Sequence, residues 1–255
     1  MRTGWIDDDV PTLIAVGAAV TICASLAHEA LGHGIGCAAD GGTVTLLTFQ
    51  VFRCKGADVF ADGGGPVGAF LIASLCLIAL RLLRPKPSVG SVFTYALGVQ
   101  MMLWVCAQMV REGIDGSDDW GHVADDLGWT TEWHIAVIVI GAIGYGITIR
   151  VATTLGIPLA RGRPARLLIP YASSCIFAVA FAAMWHGDRA ASAWDGFLTF
   201  GVAPLGYLLV IRMVARMTAI PDKAVIGRSR AWLIAVVVIG CIFAFTIAQG
   251  IGRLA

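Results

Sequence analysis

His28, Glu29 and His33 fall within six positions, His28-Glu29-Ala30-Leu31-Gly32-His33, toward the end of an apolar stretch that begins at Thr12. Ionisable side chains at membrane depth are costly to bury, so three this close together need a compensating partner. Two imidazoles and a carboxylate suit a divalent metal, zinc above all, with Glu29 as the general base that takes a proton from a metal-activated water. In zinc-hydrolase helices the two histidines are usually four apart, about 40° around the axis. Here they are five apart, which is about 140° on a regular α-helix and too wide for one ion. The segment is therefore expected to carry a bulge between Glu29 and Gly34 that swings both imidazoles to one point, a distortion that Gly32 and Gly34 make less costly. Two other readings stay open: Glu29 and His33, four apart, as carboxylate-bridged ligands, or a hydrogen-bonded polar cluster with no metal.

The elements that position these residues follow from composition. Of 255 residues, 58% are hydrophobic and 14% charged, with a mean hydropathy of +0.80, too little polar surface to enclose a soluble core. The expected fold is an all-α polytopic membrane protein, a single domain over 1–255. A bilayer span needs about 20 mostly apolar residues. Seven stretches qualify, with six to eight spans as the range: 12–36, 66–83, 89–110, 134–155, 167–186, 196–215 and 231–250. Pro204 and Gly206 interrupt the sixth and can break it into a re-entrant hairpin. The first stretch follows Asp7, Asp8 and Asp9 rather than a basic region, which argues against a cleavable signal. A net charge of +1 without a basic, aromatic-interleaved patch argues against nucleic acid. No internal repeat supports an inverted-repeat transporter.

Of the 18 basic residues, 13 fall on one side if the N-terminus is cytoplasmic, including Arg2, Arg81, Arg84 and the run Arg161, Arg163, Arg166. That orientation, in a plasma or inner membrane, puts all five histidines toward the outer face. Segment 43–52 is β-branched and aromatic between turn residues, so a strand or hairpin is expected after the first span. Cys37 and Cys54 flank it and can pair in an oxidising compartment. The third metal ligand is expected from the acidic region 111–133. Asp119 is favoured, with Trp120 beside it as an interfacial anchor, and Asp118, His122, Asp62 and His186 are the alternatives. His134 reads as an ordinary interfacial residue.

The string His-Glu-x-x-x-His resembles the signature of the dipeptidyl-peptidase III family, where both histidines bind zinc and the glutamate is catalytic. The wider layout resembles the site-2-protease class of intramembrane metalloproteases: the motif on the first span, a strand-like segment after it, Gly65-Pro66 opening the next span, and a later aspartate. The resemblance covers roughly residues 12–120. It implies His28 and His33 as ligands and Glu29 as general base. Val67-Gly68-Ala69 stands where that class carries an asparagine after Gly-Pro, and no Leu-Asp-Gly follows in a later span.

The function expected from all this is a zinc metallopeptidase cleaving a peptide or protein substrate in or beside the lipid bilayer. A zinc-dependent amidase or lipid hydrolase is the enzymatic alternative. A metal transporter or sensor is the non-enzymatic one. The charge distribution generates a first prediction: in a background lacking the seven native cysteines, Ser117→Cys reacts with an impermeant thiol reagent added outside. Labelling only from inside would invert the orientation.

Overall fold

The computed structural model describes residues 7–217 and 224–252. Of the 18 basic residues that orient the chain, Arg2, Lys223 and Arg253 lie outside the described residues. Apolar runs close their own backbone hydrogen bonds as helices, the solution open to a chain without water around it. The first, α1 (Val10–Ser25), is capped by Asp9, whose carboxylate accepts from the Thr12 amide at 3.0 Å, with Pro11 in the first turn. It continues through a π-helical segment (Leu26–His33) into α2 (Gly34–Ala39). A hairpin of β1 (Thr43–Leu47) and β2 (Phe52–Lys55) follows, then α3 (Val59–Leu83), α4 (Val89–Asp115), the short α5 (Asp118–Asp126), α6 (Glu132–Ala160) and α7 (Ala165–Ala182). The chain closes with α8 (Arg189–Phe197), a second π-helical segment (Leu198–Val202), α9 (Gly206–Met217), α10 (Arg230–Phe245) and β3 (Ile251–Gly252).

Six helical stretches among the described residues are long and apolar enough to cross a membrane: Val10–Ala39, Val59–Leu83, Val89–Asp115, Glu132–Ala160, Ala165–Ala182 and Arg189–Met217. The seventh expected span, α10, is apolar but has 16 residues. It stops at Phe245 rather than 250, and the chain beyond it turns so that β3 pairs with β1. The expected re-entrant hairpin at Pro204 is instead a break within one crossing. There the Tyr145 hydroxyl donates to the Ala203 carbonyl at 2.9 Å and accepts from the Gly206 amide at 2.7 Å, satisfying backbone groups that the break frees.

Two boundaries differ from expectation for a packing reason. Gly63-Gly64-Gly65 lies inside α3, which starts at Val59 rather than at Pro66. The glycines let α3 cross the π-helical segment at backbone contact: a Cβ on Gly32 would stand 2.5 Å from the Gly64 carbonyl oxygen. The strand or hairpin expected over 43–52 is a hairpin that runs on to Lys55, turned at Thr48, whose hydroxyl accepts from the Val51 amide at 2.7 Å. The sheet order β2-β1-β3 makes β1 the central strand, and a Cys37–Cys54 disulfide fastens β2 to α2.

α1 and α4 are the innermost spans, packing against α7 and α6 respectively, while α3 and α6 turn apolar faces such as Phe70, Leu75, Ile140 and Ile147 outward. At the end of the bundle where α1 begins, Arg166 and Asp8 are both buried. Arg166 Nε and Nη2 each donate to the Asp8 carboxylate at 2.8 Å, and its remaining donors reach the Leu159 and Ala224 carbonyls. Asp8 also accepts from the Ile226 amide at 2.7 Å, tying three segments together. Removing one partner leaves the other charge buried and unpaired, which costs about 3–5 kcal/mol. Asp8→Ala is therefore expected to lower stability by that amount in unfolding titrations in mixed micelles. A change within about 0.5 kcal/mol, the range of ordinary surface substitutions, would show the pair to be dispensable.

Candidate metal centre

The sequence spaces His28 and His33 five apart, and the backbone answers with a π-helical segment over Leu26–His33. In that geometry hydrogen bonds run from i to i+5, so residues five apart stack on one face. His28 Nε2 and His33 Nε2 come within 3.2 Å of each other. The expected bulge is therefore present, as a longer stretch than the 29–34 interval. Glu29 and His33 do not form the alternative ligand pair; Asp119 joins the histidines instead.

Asp119 reaches the pair from the first turn of α5. Its Oδ2 lies 3.2 Å from His28 Nε2 and its Oδ1 3.4 Å from His33 Nε2. All three residues are buried. Of the other candidates, Asp118 pairs with Arg111, and His186 accepts from the Arg189 guanidinium at 3.2 Å. Asp62 and His122 line the same cavity without joining the ligand group. His134 caps the end of α4 through the Gly113 carbonyl at 2.8 Å, a structural role. Trp120 is partly buried beside Asp119, and its backbone amide is held by Glu112.

The donor set fits a small divalent ion. Bonds of about 2.0–2.1 Å to a tetrahedral ion set neighbouring ligand atoms about 3.3–3.4 Å apart; the two Nε2 atoms stand 3.2 Å apart, each has a different Asp119 oxygen at 3.2 or 3.4 Å, and one ligand atom from each residue lies within 4.8 Å of the others. Tautomers point the same way. His33 Nδ1 lies 2.7 Å from the Ala61 carbonyl oxygen, which only accepts, so that nitrogen carries the proton. A neutral His33 then aims a bare Nε2 lone pair at a carboxylate oxygen, an arrangement that repels unless a cation lies between. A ligating histidine fixed by its second nitrogen is the usual support of a metal site. His28 Nδ1 is buried without a partner. Burial pushes the Asp119 carboxyl up. Its hydrogen bond with His28, the nearby His33 and the Gln108 amide outweigh that and hold it below its ordinary value, in the anionic form that ligates.

The walls are specific as well. Trp104 lies over His28 with ring centres 4.7 Å apart, and Phe52 of β2 stacks on His33 at 5.4 Å. On the α3 side Gly65 leaves the space free: a Cβ there would stand 2.2 Å from His33 Nε2 and 2.8 Å from His28 Nε2. The triangle opens into a cavity of about 1000 Å³ also lined by Glu29, Phe49, Arg53, Tyr145, Asp195 and Thr199. Among the described residues nothing hydrogen-bonds the Glu29 carboxylate. Sequence reasoning missed Gln108, Glu112, Trp104 and Ala61. Gln108 and Glu112 stand four apart and so share one face of α4, a spacing that was there to read.

Comparison with protein-family models, curated proteins and solved structures finds no match to this chain. The site is therefore argued from its own geometry, and Gly65 tests it. Only imidazole atoms stand nearest the added methyl, so Gly65→Ala displaces the ligands more than the helices. Alanine otherwise favours a helix over glycine by up to about 1 kcal/mol. Zinc content is expected to fall below a tenth of wild type, while the metal-free protein loses no more than about 1–3 kcal/mol, the cost of an overpacked core site. Full zinc occupancy in the variant would place the metal elsewhere.

Proposed function

We propose that this protein is a membrane-embedded zinc metallohydrolase, with a peptide bond as the favoured substrate. The observation that carries the reading is the buried His28–His33–Asp119 triangle opening into a cavity that Glu29 also lines. Three protein ligands with a position left open is the arrangement of catalytic rather than structural zinc. When bound, zinc would supply Lewis-acid activation of water and of a carbonyl.

The chain's own residues do the rest. Glu29, next to His28 on the π-helical segment and without a hydrogen-bond partner among the described residues, is placed to take a proton and return it to a leaving group. Trp104 and Phe52 shield the two imidazoles from bulk water. Of the strands, β2 is the one placed to align a substrate. β1 is paired on both sides, whereas β2 is one of the sheet's two edges, and its Phe52, Arg53 and Cys54 line the cavity. An extended peptide could pair with that edge.

The transporter alternative has less support. A buried polar ladder does continue inward, from the Thr21 hydroxyl to the Ser174 carbonyl and from the Ser174 hydroxyl to Gln100. It consists of hydroxyls and an amide, without the carboxylates or imidazoles that would hand a divalent ion onward.

Two substitutions test the enzyme. Glu29→Gln is expected to keep zinc and lose hydrolysis by at least 100-fold, the lower range of general-base contributions. Asp119→Ala is expected to lose zinc. Zinc quantified per chain and a peptide-cleavage assay in detergent read both. A Glu29→Gln protein with wild-type turnover would remove Glu29 from the chemistry.

A further inference from the structure

The third ligand stands on a nine-residue helix whose start is poorly secured by its own sequence. Asp118 at the first position of α5 has φ +61°, a left-handed conformation that costs a non-glycine residue about 1–2 kcal/mol. Ser117, the N-cap residue, makes no capping bond; its hydroxyl turns back to Asp115. The first-turn amides of α5 thus need an acceptor from elsewhere. Such strain persists only where the surroundings over-determine it.

The surroundings are three side chains on one face of α4. Glu112, fully buried, accepts from the Trp120 amide at 2.7 Å through Oε2 and so supplies the cap that Ser117 does not. Gln108, one turn earlier and also buried, donates through Nε2 to Asp119 Oδ2 at 2.8 Å. Arg111 pairs with Asp118, but both are about half exposed, where ion pairs contribute little. The holding falls to the two buried residues. Glu112 fixes the backbone on one side of Asp119, and Gln108 fixes the rotation of its carboxylate. Together they turn Oδ2 to His28 and Oδ1 to His33.

We propose that Gln108 and Glu112 are positioning residues that preset Asp119 as the third metal ligand, making α4 a part of the metal centre that touches no metal. The proposal rests on reading the triangle as a metal site. It does not depend on the reaction catalysed there. Residues of this kind cost roughly 10–100-fold in metal affinity when removed.

The test measures zinc affinity by chelator competition, and the visible spectrum of the cobalt-substituted protein, on the full chain in detergent. Gln108→Met keeps length and removes the donor; Glu112→Leu removes the acceptor; Glu112→Gln keeps an acceptor oxygen. Gln108→Met and Glu112→Leu are expected to bind zinc 10–100-fold more weakly, within the range for such supporting residues, with shifted cobalt bands. Glu112→Gln should stay within about threefold of wild type, because it retains the hydrogen bond to Trp120. A purely structural role would change stability and leave the cobalt spectrum unmoved. Wild-type affinity and spectrum in Gln108→Met would overturn the proposal, and that near-isosteric variant decides alone if Glu112→Leu does not fold. A wild-type protein that takes up no zinc or cobalt would overturn both this and the metallohydrolase reading. Zinc bound without hydrolysis would overturn the reaction only, and the affinity of Gln108→Met would still decide the role of α4.

Discussion

Everything at the site end of the bundle depends on one turn of helix that closes five residues apart instead of four. A π-helical turn is rare because its hydrogen bonds and backbone packing are poorer than those of an α-helix, and it survives where something else holds it. Here α3 does so. Gly32 and Gly64 bring two helix backbones into contact, and Gly68 sits against the Ala27 carbonyl on the same crossing. The wider π-helical turn thus lies on a seat that only residues without a side chain could form. Gly65, next on that seat, leaves the space into which both imidazoles point.

The remaining parts are fastened to that turn by bonds of different kinds, each suited to its distance from the core. Asp40, just after α2, accepts from the Asp58 and Ala61 amides at 3.0 and 2.8 Å, fixing the start of α3. Ala61 in turn presents its carbonyl to His33, so a backbone anchored by Asp40 sets the histidine's tautomer. The hairpin lies further out and buries less, and it is held by the Cys37–Cys54 disulfide and by β3. Its Phe52 then covers His33. Helix, loop carboxylate and strand thus converge on one imidazole pair.

How much of this the sequence showed depends on the range of the interaction. Spans are local, set by runs of apolar residues, so their order was legible and their number to within one; so was the strand-like hairpin between Thr43 and Lys55. The bulge was legible too, because five-residue spacing of two histidines makes chelation incompatible with a regular α-helix. Asp119 was a choice among five residues, and its 86-position separation from His33 is bridged by packing that no periodicity encodes. The start of α3 at Val59 was missed because three consecutive glycines read as a turn, whereas here they serve a helix crossing. Gln108 was overlooked because a polar residue near the end of an apolar span announces only that it needs a partner, not which one, and Glu112 because it falls in the acidic region 111–133 rather than in the span that α4 extends through it.

The charge of the cavity bears on what enters it. Asp62, Asp118, Asp119 and Asp195 line it against Arg53 and Arg111, and Arg111 is already engaged by Asp118 and by Glu112. A cleft with low-dielectric walls focuses such an imbalance, raising the local concentration of cations and excluding anions. That field supports loading of a divalent ion at the imidazole pair. It works against a substrate whose reacting group is flanked by phosphate, so among hydrolysable bonds it favours a neutral amide over the ester of an anionic lipid. Apolar walls from Phe49, Trp104, Leu198 and Phe200 suit the side chains around that amide. The same carboxylates that would draw in a metal therefore bear on the proposed substrate, and the peptide proposal is supported by electrostatics as well as by the edge position of β2.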